Sequence, residues 1–181
     1  MHRIMLVDDE PNILGALRRV FAAPLAEDGS KLVVETFTSP HEALKRAREG
    51  TPFDVVISDY RMPEMDGVAF LKAFREIQPH TLRLVLSGYA DLEALIGAIN
   101  QAQIFRFIAK PWHDYELRAT LAMALAHHDL LTENQRLADE VRAQRSLISR
   151  QEMEFRRLEM ESPGITKVNW GPDGSVLLDE D

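Results

Sequence analysis

Apolar residues fall along this chain in two textures. Short unbroken runs recur at 3–7 (RIMLV), 32–37 (LVVETF), 53–58 (FDVVIS), 82–86 (LRLVL) and 104–108 (IFRFI), and runs of that length predict strands buried on both faces. Between them, apolar positions three and four residues apart predict helices over about 11–23, 40–49, 66–77 and 91–102. Strands alternating with helices through short connections predict an α/β domain, with a mostly parallel sheet and right-handed crossovers. In such a sheet, ligands collect beyond the carboxyl ends of the strands.

The texture changes after Trp112. From Asp114 to Glu161 there is neither proline nor glycine, and Ala, Leu, Glu, Arg and Gln dominate, which predicts one long helix. Leu130, Asn134, Leu137, Val141, Gln144, Ile148, Gln151, Phe155 and Leu158 follow one another at alternating intervals of four and three, a heptad seam. Asn134, Val141, Ile148 and Phe155 take the a positions; Leu130, Leu137, Gln144, Gln151 and Leu158 take d. Branched residues at a, leucines at d and one a-site asparagine suit a parallel homodimer through 127–162, although two d-row glutamines weaken the seam. The alternatives are a helix folded back on its own domain or laid against a partner. Ser162, Pro163 and Gly164 stop the helix. Beyond them, "ITKVNWGPDGSVLLDED" predicts either a small hairpin about its Gly-Pro-Asp-Gly turn or an acidic tail. The expected organisation is a folded domain over 1–126, a coiled-coil helix over 127–162 and a short end over 163–181.

Composition narrows the chemistry. With 45% hydrophobic residues in 181, there is material for one core and an appendage. The net charge of -8 argues against a dominant nucleic-acid surface, and no direct nucleic-acid binding is expected. Absence of cysteine excludes disulfides, thiolate metal sites and cysteine nucleophiles. No apolar run approaches the roughly 20 residues needed to cross a bilayer, and residues 1–10 lack the pattern of a signal peptide, so a cytoplasmic protein without a membrane partner is expected. The six histidines are scattered or adjacent, offer no metal set and are expected on the surface.

What remains is oxygen chemistry at the strand ends. Asp8, Asp9 and Glu10 follow the first run, Asp59 the third, Ser87 the fourth and Lys110 the fifth. Two carboxylates about 4 Å apart repel by roughly 4 kcal/mol at an effective dielectric near 20, so a cation or a shared proton is needed to relieve them. Acids ahead of a helix also favour its N-terminal dipole, and the residues of this stretch leave both explanations open.

"LVDDE", "SDYRMPEMDG", "LSG" and "IAKPW", in that order at those strand ends, resemble the receiver domain of bacterial two-component response regulators over roughly residues 1–126. The resemblance implies a doubly wound, five-stranded flavodoxin-like sheet of order 2-1-3-4-5. It implies that Asp59 is the phosphoacceptor, and that Mg²⁺ is held by Asp8, Asp9, Asp59 and the backbone carbonyl of Arg61. Lys110 would contact a phosphoryl oxygen, with a cis bond to Pro111; Ser87 would donate to the phosphoryl group, and Phe107 would be the aromatic switch residue. Glu10 stays outside the site, and Asp66 with Gly67 caps the third helix. Arg61 and Tyr89, two residues past Asp59 and Ser87, are aimed at the mouth of the site and are expected to modulate the lifetime of the phosphoaspartate.

The partners implied are a sensor histidine kinase or phosphotransfer protein and a downstream protein. The signal would leave through the helix over 91–102, the strand over 104–108 and the start of the last helix, entering the coiled coil in place of a usual output domain. No helix-turn-helix or Walker loop is present. The protein is expected to be a phosphoacceptor, with self-phosphorylation and slow self-dephosphorylation only. Two rivals differ in class: a dimeric scaffold independent of phosphate, and a haloacid dehalogenase-type phosphatase. The second requires Asp-x-Asp at the first strand, whereas here the pair is contiguous.

Overall fold

The computed structural model describes residues 1–23, 31–88, 102–162, 169–170 and 176–177. Tyr89 and nearly all of the helix predicted over 91–102 lie outside them. Five strands, β1 (His2–Val7), β2 (Leu32–Phe37), β3 (Val55–Asp59), β4 (Leu82–Gly88) and β5 (Arg106–Lys110), form one parallel sheet in the order β2-β1-β3-β4-β5. Helices α1 (Pro11–Ala22), α2 (Pro40–Arg48), α3 (Gly67–Ile77) and α4 (Asp114–Glu161) complete the described elements, with the small strands β6 (Asn169–Trp170) and β7 (Val176–Leu177).

The unbroken apolar runs follow from burial on both faces. Ile4 and Leu6 of β1 point with Val55, Ile57, Leu84 and Leu86 into one core, where Leu14, Leu17 and Phe21 of α1 and Leu117 and Leu121 of α4 meet them. The intervening Met5, Val7, Val56 and Val85 face a second core with Leu44 of α2 and Phe70, Leu71 and Phe74 of α3. A strand with helices on either side has no face to leave polar, so alternation disappears. The helices bury one stripe each, at i, i+3 and i+7 in α1, and keep charges outside.

Two strands are offset from their apolar runs. The third run was expected over 53–58, but Phe53 and Asp54 form the lead-in: the Phe53 amide donates to Gln78 Oε1 at 2.9 Å and the Asp54 amide to the Arg3 carbonyl at 2.9 Å. The fifth was expected over 104–108, yet pairing begins at Arg106 and continues through Lys110, which lies opposite Gly88. The approach to β5 is held by Arg83, 5% exposed, whose guanidinium donates to the carbonyls of Thr81 at 2.6 Å and Ala102 at 2.9 Å. Burial first, and then Arg75, keep the Arg83 pKa below the usual range.

Two histidines correct the surface expectation. His2 and His128 are 19% and 13% exposed and converge on Asp54, with His2 Nδ1 3.4 Å from Oδ2 and His128 Nδ1 3.7 Å from Oδ1. His2 opens β1 beside the β3 lead-in, while His128 continues the buried α4 stripe of Leu121, Ala124 and Leu125 by one more turn. His41, His80, His113 and His127 are exposed.

The chain divides into two compact units, Met1–Leu131 and Thr132–Asp181. In the second, the remainder of α4 carries its apolar residues exposed, and β6 pairs antiparallel with β7, Asn169 opposite Leu177 and Trp170 opposite Val176. Among the described residues no helix is long and apolar enough to cross a membrane.

Candidate functional site

The carboxyl ends of β1, β3, β4 and β5 bring one set of side chains together. Asp8 follows β1 directly and is wholly buried; its Oδ1 accepts from the Glu10 amide at 2.9 Å. Asp59 is the last residue of β3 and is 6% exposed, and its Oδ2 accepts from the Arg61 amide at 2.8 Å. Lys110, the last residue of β5, extends its stem past the end of β4, so that one ammonium joins both acids. Its Nζ lies 2.9 Å from Asp8 Oδ2 and bonds Asp59 Oδ1. The bond between Lys110 and Pro111 is cis.

The electrostatics of this trio run in opposed directions. Burial pushes the Asp59 carboxyl above the usual carboxylate range and Asp8 adds to the rise, while Lys110 and the Arg61 amide pull it down without cancelling it. For Lys110 burial disfavours the ammonium, but its hydrogen bonds to Asp59 and Asp8 prevail and hold its pKa above the usual value. Two carboxylates sharing one ammonium leave a formal excess of one negative charge in a buried place. Asp59 therefore presents an oxygen nucleophile next to a cation able to receive an anionic group.

The other sequence-predicted residues fall around this centre. Ser87 is 1% exposed, directly precedes the end of β4 and pairs with Ala109; its hydroxyl reaches the Gly88 carbonyl at 3.3 Å. Phe107 is half-buried against the second core and lines a cavity of about 410 Å³ with Trp112, Tyr115 and Met123, between β5 and the first turns of α4. Arg61 is exposed, and Tyr89 is outside the described residues. Asp9 is half-buried and takes no part in the contacts of Lys110, and among the described residues no three acid or imidazole groups converge on one ion position. The donors still suit Mg²⁺, a hard cation held by one or two carboxylates with water and phosphate oxygen completing its shell: the two acids that meet are buried, anionic in excess and oxygen-only.

Asp66 caps α3 through its side chain, which accepts from the Ala69 amide at 2.8 Å. Sequence reasoning missed what Gly67 does. Its amide donates to the Tyr60 carbonyl at 2.8 Å, and its missing side chain lets α3 pass directly against the Asp59 backbone. The only signal was the glycine itself at a helix start, where a side chain would ordinarily be favoured.

Residues 4–122 match the family model of the response regulator receiver domain. The hydrogenase transcriptional regulatory protein HoxA of Bradyrhizobium diazoefficiens is 36% identical over 140 residues, covering 77% of this chain and 27% of that protein. The chain thus spans about a quarter of the length of the curated relatives it matches. Among solved structures, one described as an adenylate cyclase from Rhodopirellula baltica is 33% identical with a TM-score of 0.67, covering 76% of this chain and 97% of that one. A response regulator receiver domain protein from Clostridium thermocellum is 30% identical with a TM-score of 0.63, covering 72% and 99%.

Proposed function

The chain belongs to the response regulator receiver domain family, and on that premise we propose that Asp59 accepts a phosphoryl group from a histidine kinase or phosphotransfer protein. The observation that carries this reading is the buried pairing of Asp8 and Asp59 through the single ammonium of Lys110. A carboxylate oxygen of Asp59 forms the new bond to phosphorus while the bond to the donor nitrogen breaks, its electron pair leaving with the imidazole. Lys110, freed from balancing two acids, turns its charge to a phosphoryl oxygen. Mg²⁺, held by Asp8 with Asp9, Asp59 and the Arg61 carbonyl, supplies charge neutralisation when bound.

Phosphorylation adds close to two negative charges at the end of β3. Ser87 moves to donate to them, and Phe107 turns inward behind it, changing the cavity that Phe107 shares with Trp112 and Tyr115. α4 runs without a break from that cavity into the heptad seam, where a parallel homodimer through 127–162 receives the change. Arg61, two residues past Asp59, and Tyr89, two residues past Ser87 in the sequence, would obstruct an attacking water and lengthen the life of the acyl phosphate.

Intact mass and solution mass, measured together with a small phosphodonor and Mg²⁺, test the reading. The expected result is one added phosphoryl group that requires Mg²⁺ and is lost in Asp59→Asn, with a change in dimer stability. No uptake with an unchanged dimer instead favours a scaffold, and steady turnover of a phosphomonoester favours a phosphatase. Uptake persisting in Asp59→Asn overturns the assignment of the acceptor.

A further inference from the structure

A second cluster of ionisable side chains lies at the amino edge of the sheet, away from the site. Asp54 directly precedes β3, the strand that Asp59 ends, and it meets His2 of β1 together with His128 and Asp129 of α4. The four alternate in a closed circuit. His2 Nδ1 lies 3.4 Å from Asp54 Oδ2 and His2 Nε2 lies 3.6 Å from Asp129 Oδ2, while His128 Nδ1 is 3.7 Å from both Asp54 Oδ1 and Asp129 Oδ1.

That arrangement asks for protons. A neutral imidazole has one N–H, so a neutral His2 must turn a lone pair toward one of its two carboxylates, and only the imidazolium donates to both. His128 adds to the demand, because its Nδ1 is buried, faces two acids and has no hydrogen-bond partner. With both rings neutral the circuit carries two negative charges; with both protonated it carries none. No other cation takes their place. The Arg3 guanidinium pairs with Glu35 and only the Arg3 amide reaches Asp54, at 2.8 Å from Oδ2. Lys31, ahead of β2, is exposed and meets His2 through its carbonyl, which accepts from the His2 amide at 3.0 Å. His127 stacks on Phe105, with ring centroids 5.1 Å apart. Among the described residues no further ion pair reaches the four.

The place of the circuit gives it a consequence. The fully buried stripe of α4 ends at Leu125 and the first unit ends at Leu131, so the last turn of α4 in that unit meets the sheet through polar groups. We propose that His2, Asp54, His128 and Asp129 form a proton-operated latch, closed when the imidazoles are protonated and loosened when they are neutral, which fixes that turn of α4 on β1 and the start of β3. Its contribution to stability is present below the imidazole range and is lost as the pH rises through it.

A double-mutant cycle on the full chain tests the latch, with His2→Gln, Asp129→Asn and the two together compared by urea unfolding at about pH 5.5 and about pH 8. At the lower pH the two positions are expected to be coupled several-fold in the unfolding equilibrium constant, and at the higher pH to act nearly independently. Hydrogen exchange locates the effect. After correction for the intrinsic rate, protection of the amides of 128–131 in the parent is expected to drop several-fold between the two pH values while that of 117–121 holds, and His2→Gln is expected to abolish this dependence. Coupling that is equal at both pH values or absent at the lower one overturns the latch, as does protection of 128–131 whose pH dependence survives in His2→Gln.

Discussion

Gly67 lies so close to Asp59 that a Cβ added to it would overlap the Asp59 carbonyl oxygen and stand 2.9 Å from the carbonyl carbon. In an ordinary helix start, alanine would improve on glycine by up to about 1 kcal/mol. Here the sign reverses, because the obstacle is backbone and has no rotamer to move. Gly67→Ala is expected to destabilise the first unit by about 1–3 kcal/mol, read from urea unfolding, and to lower phosphoryl uptake on Asp59 because the strand end must shift.

Lys110 holds two buried acids together, so its charge matters more than its packing. Lys110→Met keeps the apolar stem and leaves Asp8 and Asp59 uncompensated. Breaking such a buried pair costs about 3–5 kcal/mol. Unfolding midpoints are expected to fall at neutral pH and to recover as the pH drops, beginning above the usual carboxylate range, because burial and Asp8 raise the Asp59 pKa and the variant lacks the Lys110 charge that pulls it down; protonating Asp59 ends the repulsion. An equal loss at every pH would show that the stem, not the charge, is what counts.

Glu35 gives a pH dependence away from the site. Burial alone would raise its pKa, but hydrogen bonds from Arg46 and then Arg3 outweigh it and hold the carboxyl below the usual glutamate range. A carboxyl depressed in the folded state contributes stability above the unfolded pKa and loses it as pH falls through the folded one. Glu35→Gln is therefore expected to be less stable than the parent by about 1 kcal/mol at pH 7. The gap is expected to narrow below pH 4.5, as followed by denaturant titration at successive pH values.

Gln78 closes α3 and joins three segments with one side chain. Its Nε2 donates to the carbonyls of Thr51 at 2.8 Å and Ala47 at 3.0 Å, and its Oε1 accepts from the Phe53 amide at 2.9 Å and Thr81 Oγ1 at 3.2 Å. Gln78→Glu removes both donors and faces two carbonyls with a carboxylate. A loss of about 2–3 kcal/mol is expected, measured as a lowered Tm, with Gln78→Met losing less because it adds no charge.

The chemistry at the strand ends was legible because it is local. Asp8, Asp59, Ser87 and Lys110 each stand where an apolar run stops, and an α/β sheet with parallel strands delivers such ends to one edge. The end of β1, both bounds of β2 and the cap at Asp66 were readable for the same reason, since apolar runs and capping side chains act within a few residues; β1 starts one residue before its run, at His2. The offset of β5 was not, because its start is set by a guanidinium on β4 that captures the carbonyl of Ala102. Nor was the burial of His2 and His128, which depends on β1 and β3 lying side by side.

By itself, then, the amino-acid order determined the alternation of strands and helices, burial on both faces of the sheet, one long helix, and which polar residues end the strands. Periodicity and local backbone preference encode these directly. Tertiary structure decided that the ammonium of Lys110 lies between two acids, one of them 102 positions away, that Gly67 leaves room for the Asp59 backbone, and that Asp9 takes no part in the contacts of Lys110. Such contacts join segments distant in the chain, and their distances are fixed only once both cores have packed.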